Sequence, residues 1–162
     1  MEAASMPTVT PAMRESMRTD PLLSQFVNTI MRDGKKARAQ GFVARALLEV
    51  RARTHTDPYA LLVDAIERCS PLLRLASVRK GSKNLPVPYP LNERQRRRYA
   101  IVWILKAAEK RNERQYPMRL ASELIAVSQG QSTALEHRHR VHKEALAARS
   151  NVQAGTQARA RF

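Results

Sequence analysis

Residues 99–105 (YAIVWIL) form an apolar run with no charged side chain and no polar break. A helix that is apolar around its whole circumference is stable in water only when other elements cover it on every side. The run therefore predicts a central helix around which the rest of the chain packs.

The start of this predicted helix carries an unusual charge pattern. Asn92 is a favourable N-cap, and Gln95 is placed to complete a capping box. The first turns then contain four arginines: Arg94, Arg96, Arg97 and Arg98. Positive charge at a helix N-terminus opposes the helix macrodipole, so the helix alone gives no reason for the cluster. The pattern favours an anionic partner.

Residues 72–90, immediately before the helix, alternate with the period of a strand and are interrupted by residues 80–83 (KGSK). This pattern predicts a β-hairpin that protrudes as an exposed arm. Pro86, Pro88 and Pro90 share one parity, so their missing N–H groups fall on one edge of the second strand. The other edge is left free to pair with the first strand.

Apolar stripes of helical period occupy most of the remaining chain. Asp20 and Asp57 each precede a proline, the signature of an N-cap followed by proline in the first turn. Pro117 opens a further helix that ends near Gly130, and Ser132 or Thr133 caps the last one. In that last helix the pattern places four residues on the core side: Leu135, Val141, Ala145 and Leu146.

The expected fold is therefore mainly α, a single domain of six helices with a protruding two-stranded hairpin between the third and fourth. Residues 1–19 lack periodicity and are expected to be a flexible segment. Residues 20–149 form the helical domain with its hairpin arm at 72–90, and residues 150–162 form a basic tail.

The net charge of +15 is concentrated. Residues 72–98 hold eight Lys or Arg against one Glu, and residues 137–162 hold six against one Glu, so these segments carry +12 of the total. Such clustering favours a nucleic acid over a merely solvated surface, the alternative reading. Of the 29 basic residues most are arginine, whose fork suits phosphate oxygens. Few aromatic residues lie beside the clusters, which favours folded RNA recognised through backbone and shape.

Signals for catalysis or metal binding are weak. Cys69 is the only cysteine and lies on an apolar stripe, so we expect a buried structural thiol. His139 and His142 share a helix face, but His137 points elsewhere and no cysteine completes a tetrahedral set. We therefore expect no metal, no cofactor and no enzymatic activity. No apolar run reaches the roughly 18 residues of a membrane span.

Four segments carry a resemblance to a known family: NTIMRDGKK at 28–36, VRKGSKNLPVPYPL at 78–91, ERQRRRYAIVWILKAAEKR at 93–111 and MRLASELI at 118–125. Together they resemble the small-subunit ribosomal protein S7 family over residues 22–151. The resemblance implies a structural protein that binds the 3' (head) domain of small-subunit rRNA and nucleates head assembly. It also implies contact with neighbouring ribosomal proteins of the head and platform.

The rRNA-binding residues expected from the charge pattern and the resemblance are Arg32, Lys35, Lys36, Arg38, Arg74, Arg79, Lys80, Lys83, Arg94, Arg96, Arg97, Arg98, Arg138, Arg140 and Lys143. The resemblance further implies that the hairpin tip approaches the exit-site tRNA and the mRNA exit path, through Gly81, Ser82, Lys83, Asn84, Leu85 and Pro86.

The proline-rich second strand and the arginine-rich composition look more like mitochondrial members of this family, which implies a mitochondrial ribosome; a bacterial cytoplasm or a plastid stroma is the alternative. A different class of function, a free-standing helical DNA-binding regulator, would need a recognition helix with base-reading polar residues and usually a dimer.

Overall fold

A computed structural model describes residues 10–80 and 82–153 of the chain. This part contains seven α-helices, one hairpin and a final 3-10 turn. The elements are α1 (Pro11–Thr19), α2 (Pro21–Ile30), α3 (Lys36–Thr54), α4 (Pro58–Cys69), β1 (Leu73–Lys80), β2 (Lys83–Pro90), α5 (Glu93–Glu109), α6 (Tyr116–Ser128), α7 (Thr133–Ala147) and η1 (Arg149–Asn151). The prediction of a mainly α fold with a hairpin is confirmed. No helix of the described ranges combines the length and apolarity needed to cross a bilayer.

The predicted helix starts are confirmed by their hydrogen bonds. Asp20 Oδ1 accepts from the backbone N–H of Leu22 at 2.7 Å, and Asp57 Oδ1 accepts from that of Tyr59 at 3.1 Å. At α5, Gln95 Oε1 accepts from the N–H of Asn92 at 3.2 Å. Each acceptor satisfies an N–H that has no partner inside its helix.

The first helix, α1, is a correction to the predicted count of six. Thr10 caps it, with Oγ1 accepting from the N–H of Met13 at 3.4 Å, and Met17 is only 2% exposed. A nine-residue helix has room for very few core-facing side chains, so its stripe is too short to read as a period. Tertiary contact with α2 and α3 stabilises it instead.

Helix α5 lies at the centre, as predicted. It contacts α2, α4, α6 and α7. Most of its second half is buried, with Ala100, Ile101, Ile104 and Ala108 fully excluded from solvent. Burial of this many apolar side chains, at roughly 25 cal/mol per Å² of apolar surface, makes α5 the main hydrophobic contribution to stability.

One buried polar network ties the end of α5 to the next two helices. Glu123 of α6 is 3% exposed; its Oε2 accepts from Arg111 Nε at 2.5 Å, and its Oε1 accepts from the Ser132 hydroxyl. The same Ser132 oxygen caps α7 by accepting from the N–H of Ala134 at 3.0 Å. A single carboxylate thus fixes both the exit of α5 and the entry of α7.

The predicted hairpin is confirmed, and its register places Lys80 opposite Lys83, with eight pairs formed down to Leu73 and Pro90. Pairing continues past the prolines because their ring nitrogens lie on the edge away from β1. That outer edge is partly covered: Asn151 Nδ2 donates to the carbonyl oxygen of Pro86 at 3.0 Å.

The base of the predicted hairpin arm is docked on α7. The backbone N–H of Leu72 donates to His142 Nε2 at 3.2 Å. Val87, Ala145 and Ala148 are buried but do not belong to the main core. Near the turn, both strands are exposed at Arg79, Lys80, Lys83 and Asn84.

The last helix differs from its predicted stripe at one position. Ala145 is buried as expected, but Leu146 is 68% exposed. The helix rotates so that alanines, at positions 134, 145 and 148, face the body, because small side chains let α7 approach both α5 and the hairpin closely. Leu146 therefore points to solvent.

We predict that Glu123→Ala destabilises the chain by about 3 kcal/mol, because it leaves the Arg111 guanidinium without its buried partner and α7 without an ordered cap. Urea unfolding followed by circular dichroism measures the change. Glu144→Ala, which removes the same charge from an exposed position of α7, is the matched control and should stay within about 0.5 kcal/mol. A loss below about 1 kcal/mol for Glu123→Ala would contradict the role of the network.

We also predict that acid weakens hairpin docking. His142 accepts the Leu72 hydrogen bond only when its Nε2 is unprotonated, and burial, with help from Arg138 and His139, lowers the pKa of His142. A histidine with a lowered folded pKa contributes stability that is complete above its ordinary value near 6.5 and is lost as the pH falls below it. Amide exchange at Leu72, corrected for intrinsic rates, should show less protection at acidic than at neutral pH.

His142→Asn offers an acceptor that does not titrate, so its Leu72 protection should stay constant over the same range. Equal loss of protection in both proteins would show that another group controls docking.

Candidate nucleic-acid interface

The arginines at the start of α5 divide into two pairs with different surroundings. Arg94 and Arg98 lie one turn apart on the same side of the helix, and both are exposed. Neither guanidinium has a hydrogen-bond or ion-pair partner in the part of the chain that the structure describes. These two cations are available to an external anion.

Arg96 and Arg97, by contrast, hold the cluster in place. Arg96 Nε donates to the carbonyl oxygen of Pro71 at 3.2 Å, which joins the start of α5 to the start of the hairpin. Arg97 forms an ion pair with Glu93 one turn earlier. The cluster is therefore attached to both the central helix and the hairpin, and its geometry is fixed before any partner binds.

The hairpin presents its cations close to the turn. Arg79 stands opposite Asn84, and Lys80 stands directly opposite Lys83, with all of these side chains exposed. Like charges on directly opposed strand positions destabilise a hairpin. An anion between the two lysines would remove that repulsion. Arg74, nearer the base, is also exposed and stands opposite Tyr89 in the strand register.

The predicted tip residues 82–86 follow the turn as expected, with Ser82 and Asn84 exposed and Leu85 half-buried. Gly81, predicted as part of the same tip, lies outside the described residues. Pro86 is exposed, and its carbonyl carries the Asn151 contact already described.

A second basic cluster lies at the junction of α2 and α3. Asp33 and Gly34 both have positive φ, at 53° and 69°, and this tight turn brings Arg32, Lys35 and Lys36 together. Arg32 pairs with Glu109 at 3.1 Å, and Lys35 pairs with Asp33 at 3.5 Å. Both pairs are exposed, so solvent screens them and an incoming anion displaces them at little cost.

The two clusters lie along one seam between α2 and α5. Gln25 Nε2 donates to the backbone oxygen of Arg94 at 3.0 Å, while Arg32 reaches Glu109 at the other end of α5. At 1.5 Å of rise per residue, Arg94 and Glu109 are about 22 Å apart along the helix axis. The cations at the α2–α3 junction and those at the start of α5 thus form two separate positive regions.

Beside the junction cluster the structure contains a cavity of about 480 Å³ that the sequence did not reveal. Phe42 of α3 and Tyr116 of α6 meet edge to face there, with ring centroids 5.6 Å apart. The guanidinium of Arg38 lies 5.5 Å from the Phe42 ring centroid, and that of Arg119 lies 5.8 Å from the Tyr116 ring centroid. Burial raises the pKa of Tyr116, so its hydroxyl is neutral at physiological pH.

The predicted cations of α7 have mixed roles. Arg138 donates from Nη1 to the carbonyl oxygen of Arg68 at the end of α4, so it joins the two helices. Arg140 contacts the His137 ring, and Lys143 is exposed. His137 packs edge to face on Trp103, with ring centroids 4.6 Å apart, in a groove between α5 and α7.

The described residues give little support for metal binding, nucleophilic catalysis or DNA reading. Residues 10–80 and 82–153 hold no group of three or more His, Cys, Asp or Glu side chains able to bind a metal. Cys69 is buried as predicted, and burial raises its thiol pKa to about 12, which makes it a poor nucleophile. The burial of α5 from Ala100 to Ala108 is also opposed to a DNA-reading role, because a recognition helix exposes its polar face.

Comparison with known proteins identifies the family. Residues 2–149 match the family model described as ribosomal protein S7p/S5e. A small ribosomal subunit protein uS7m of Schizosaccharomyces pombe is 37% identical over 135 residues, which cover 83% of this chain and 52% of that relative. The chain therefore spans about half of that protein.

Bacterial relatives are equally similar. Small ribosomal subunit protein uS7 of Acholeplasma laidlawii is 37% identical over 126 residues, covering 78% of this chain and 81% of the relative. That of Rickettsia bellii is 38% identical over 126 residues, covering 78% and 77%. With a family match across most of its length and these identities, the chain belongs to the ribosomal protein S7p/S5e family.

Proposed function

We propose that this chain is a structural, non-enzymatic component of the small ribosomal subunit, where it binds the 3' head domain of the rRNA and nucleates head assembly. The observation that carries the proposal is the pair of exposed, partner-free arginines, Arg94 and Arg98, held at the start of a buried helix. The buried helix fixes the backbone from which both side chains extend, and the arginine fork suits phosphate oxygens.

The remaining predicted residues act in this proposal as two flanking contacts. The cations of the hairpin approach the same RNA on one side of α5, and the junction around Lys36 binds phosphates further along the α2–α5 seam. Neighbouring ribosomal proteins of the head and platform bind near α7 and the tail. The exposed end of the hairpin, around Ser82 and Asn84, approaches the exit-site tRNA and the mRNA exit path.

For the compartment, we propose a mitochondrial ribosome, with a bacterial cytoplasm or a plastid stroma as the alternative. The mitochondrial relative and the proline-rich β2 support this assignment, while the bacterial relatives are equally similar in sequence. Sequencing the rRNA that copurifies with the tagged chain would decide it, because the RNA carries its genome of origin.

We predict that the double substitution Arg94→Glu and Arg98→Glu abolishes incorporation into small subunits without unfolding the protein. About six phosphate contacts give wild-type rRNA binding a slope of log affinity against log salt of roughly −4 to −5. Loss of two contacts should reduce that slope by about 1.5 to 2. Filter binding at several salt concentrations and gradient sedimentation measure the two effects.

Arg45→Glu with Arg51→Glu is the matched control, since both residues are exposed on α3 and the charge change is identical. If this control lost as much affinity and slope as the α5 variant, only total charge would matter and the assigned surface would be wrong.

For the hairpin, we predict that replacing Lys80 and Lys83 with serine leaves rRNA affinity within about threefold but weakens retention of exit-site tRNA on assembled subunits. The end of the hairpin is remote from the arginine cluster at the start of α5. It therefore contributes little to the primary rRNA contact. Loss of subunit assembly would instead assign the tip to the primary rRNA contact.

A further inference from the structure

We propose that the cavity beside the α2–α3 junction binds one unstacked nucleotide of the RNA, a contact that rests on the proposed rRNA-binding function. Its walls come from four separate parts of the fold. They are the junction itself, α3 through Phe42, the end of α5 through Glu109, and the start of α6 through Tyr116 and Arg119.

Planar side chains follow one another along the cavity. Arg38, Phe42, Tyr116 and Arg119 form a continuous series, in which each ring has a guanidinium within 5.8 Å of its centroid and the two rings meet at 60°. Unpaired bases are recognised by stacking on aromatic rings or on guanidinium planes. Phosphate binding alone needs cations and gives no reason for two aromatic rings.

The rim of the cavity is positively charged. Arg32, Lys35, Arg38 and Arg119 line the cavity against the two carboxylates of Asp33 and Glu109, which leaves a positive balance at its rim. The rim cations suit the sugar-phosphate backbone of an entering nucleotide. The carboxylate of Glu109, half-exposed and engaged by Arg32 at 3.1 Å, is an acceptor within reach of the base edge.

The cavity lining includes an arginine with an unpaired donor. Arg119 Nε is buried yet has no hydrogen-bond partner among the described residues. A buried donor without an acceptor destabilises the fold. A nucleotide that draws the Arg119 side chain toward the cavity would give that donor an acceptor, a base oxygen or a ring nitrogen.

A cross-linking experiment tests the site directly. The tagged full-length chain, purified with the RNA that copurifies with it, is irradiated with ultraviolet light, and peptide–nucleotide adducts are located by mass spectrometry. We expect an adduct on the peptide that carries Phe42 or Tyr116. Adducts confined to other peptides, or a protein–protein cross-link at Tyr116, would overturn the nucleotide site and leave rRNA binding in place. Absence of copurifying RNA would overturn the proposed function as well.

Substitution separates stacking from charge. Tyr116→Met keeps an apolar side chain against Phe42 and should lower rRNA affinity about tenfold, as expected for loss of one stacked base, with the salt slope unchanged. The control Arg45→Gln, on α3 outside the cavity, should change affinity by less than about twofold. Thermal melting by circular dichroism verifies that both variants fold. Unchanged affinity of folded Tyr116→Met, or a reduced salt slope, would contradict stacking in the cavity.

Discussion

Burial of the apolar side chains of α5 between Ala100 and Ala108 is the constraint on which the rest of this structure depends. The helix contacts α2, α4, α6 and α7, so removing it would leave those helices without a common core. Because the apolar half is immobilised, the basic half that precedes it is immobilised too. The hydrogen bond from Arg96 to the Pro71 carbonyl oxygen also fixes the hairpin relative to α5. A rigid apolar segment thereby holds cations that would otherwise repel each other and the helix dipole.

The protein uses its polar side chains in two distinct ways. Glu123, Ser132 and Arg138 join helix ends inside the molecule, through contacts to Arg111, the α7 cap and the Arg68 carbonyl. Arg94, Arg98 and Lys36 make no such contacts within the described chain and face outward. Charge alone does not separate these classes, since arginine occurs in both. What separates them is whether a carbonyl or carboxylate of another helix lies within reach.

Much of the fold could be predicted from local signals. The Asp-Pro starts, the capping box at Gln95 and the turn between Lys80 and Lys83 each depend on interactions within a few residues, and all are confirmed. The predictions that were wrong concern contacts remote in sequence. Helix α1 is stabilised by burial of Met17, and the orientation of Leu146 is decided by close approach of α7 to the hairpin.

By itself, the sequence determined the element order from α2 onward, the central helix, the basic clusters and the family, because periodicity, capping and motif are properties of consecutive residues. Only the tertiary structure decided that the hairpin docks on His142, that the cations divide into two regions along α5, and that Phe42 meets Tyr116. Leu72 and His142 are 70 positions apart in the sequence, and Phe42 and Tyr116 are also more than 65 apart. The spacing of Arg38 to Phe42 and of Tyr116 to Arg119 was visible in the sequence, but their meeting required the packing of α3 against α6.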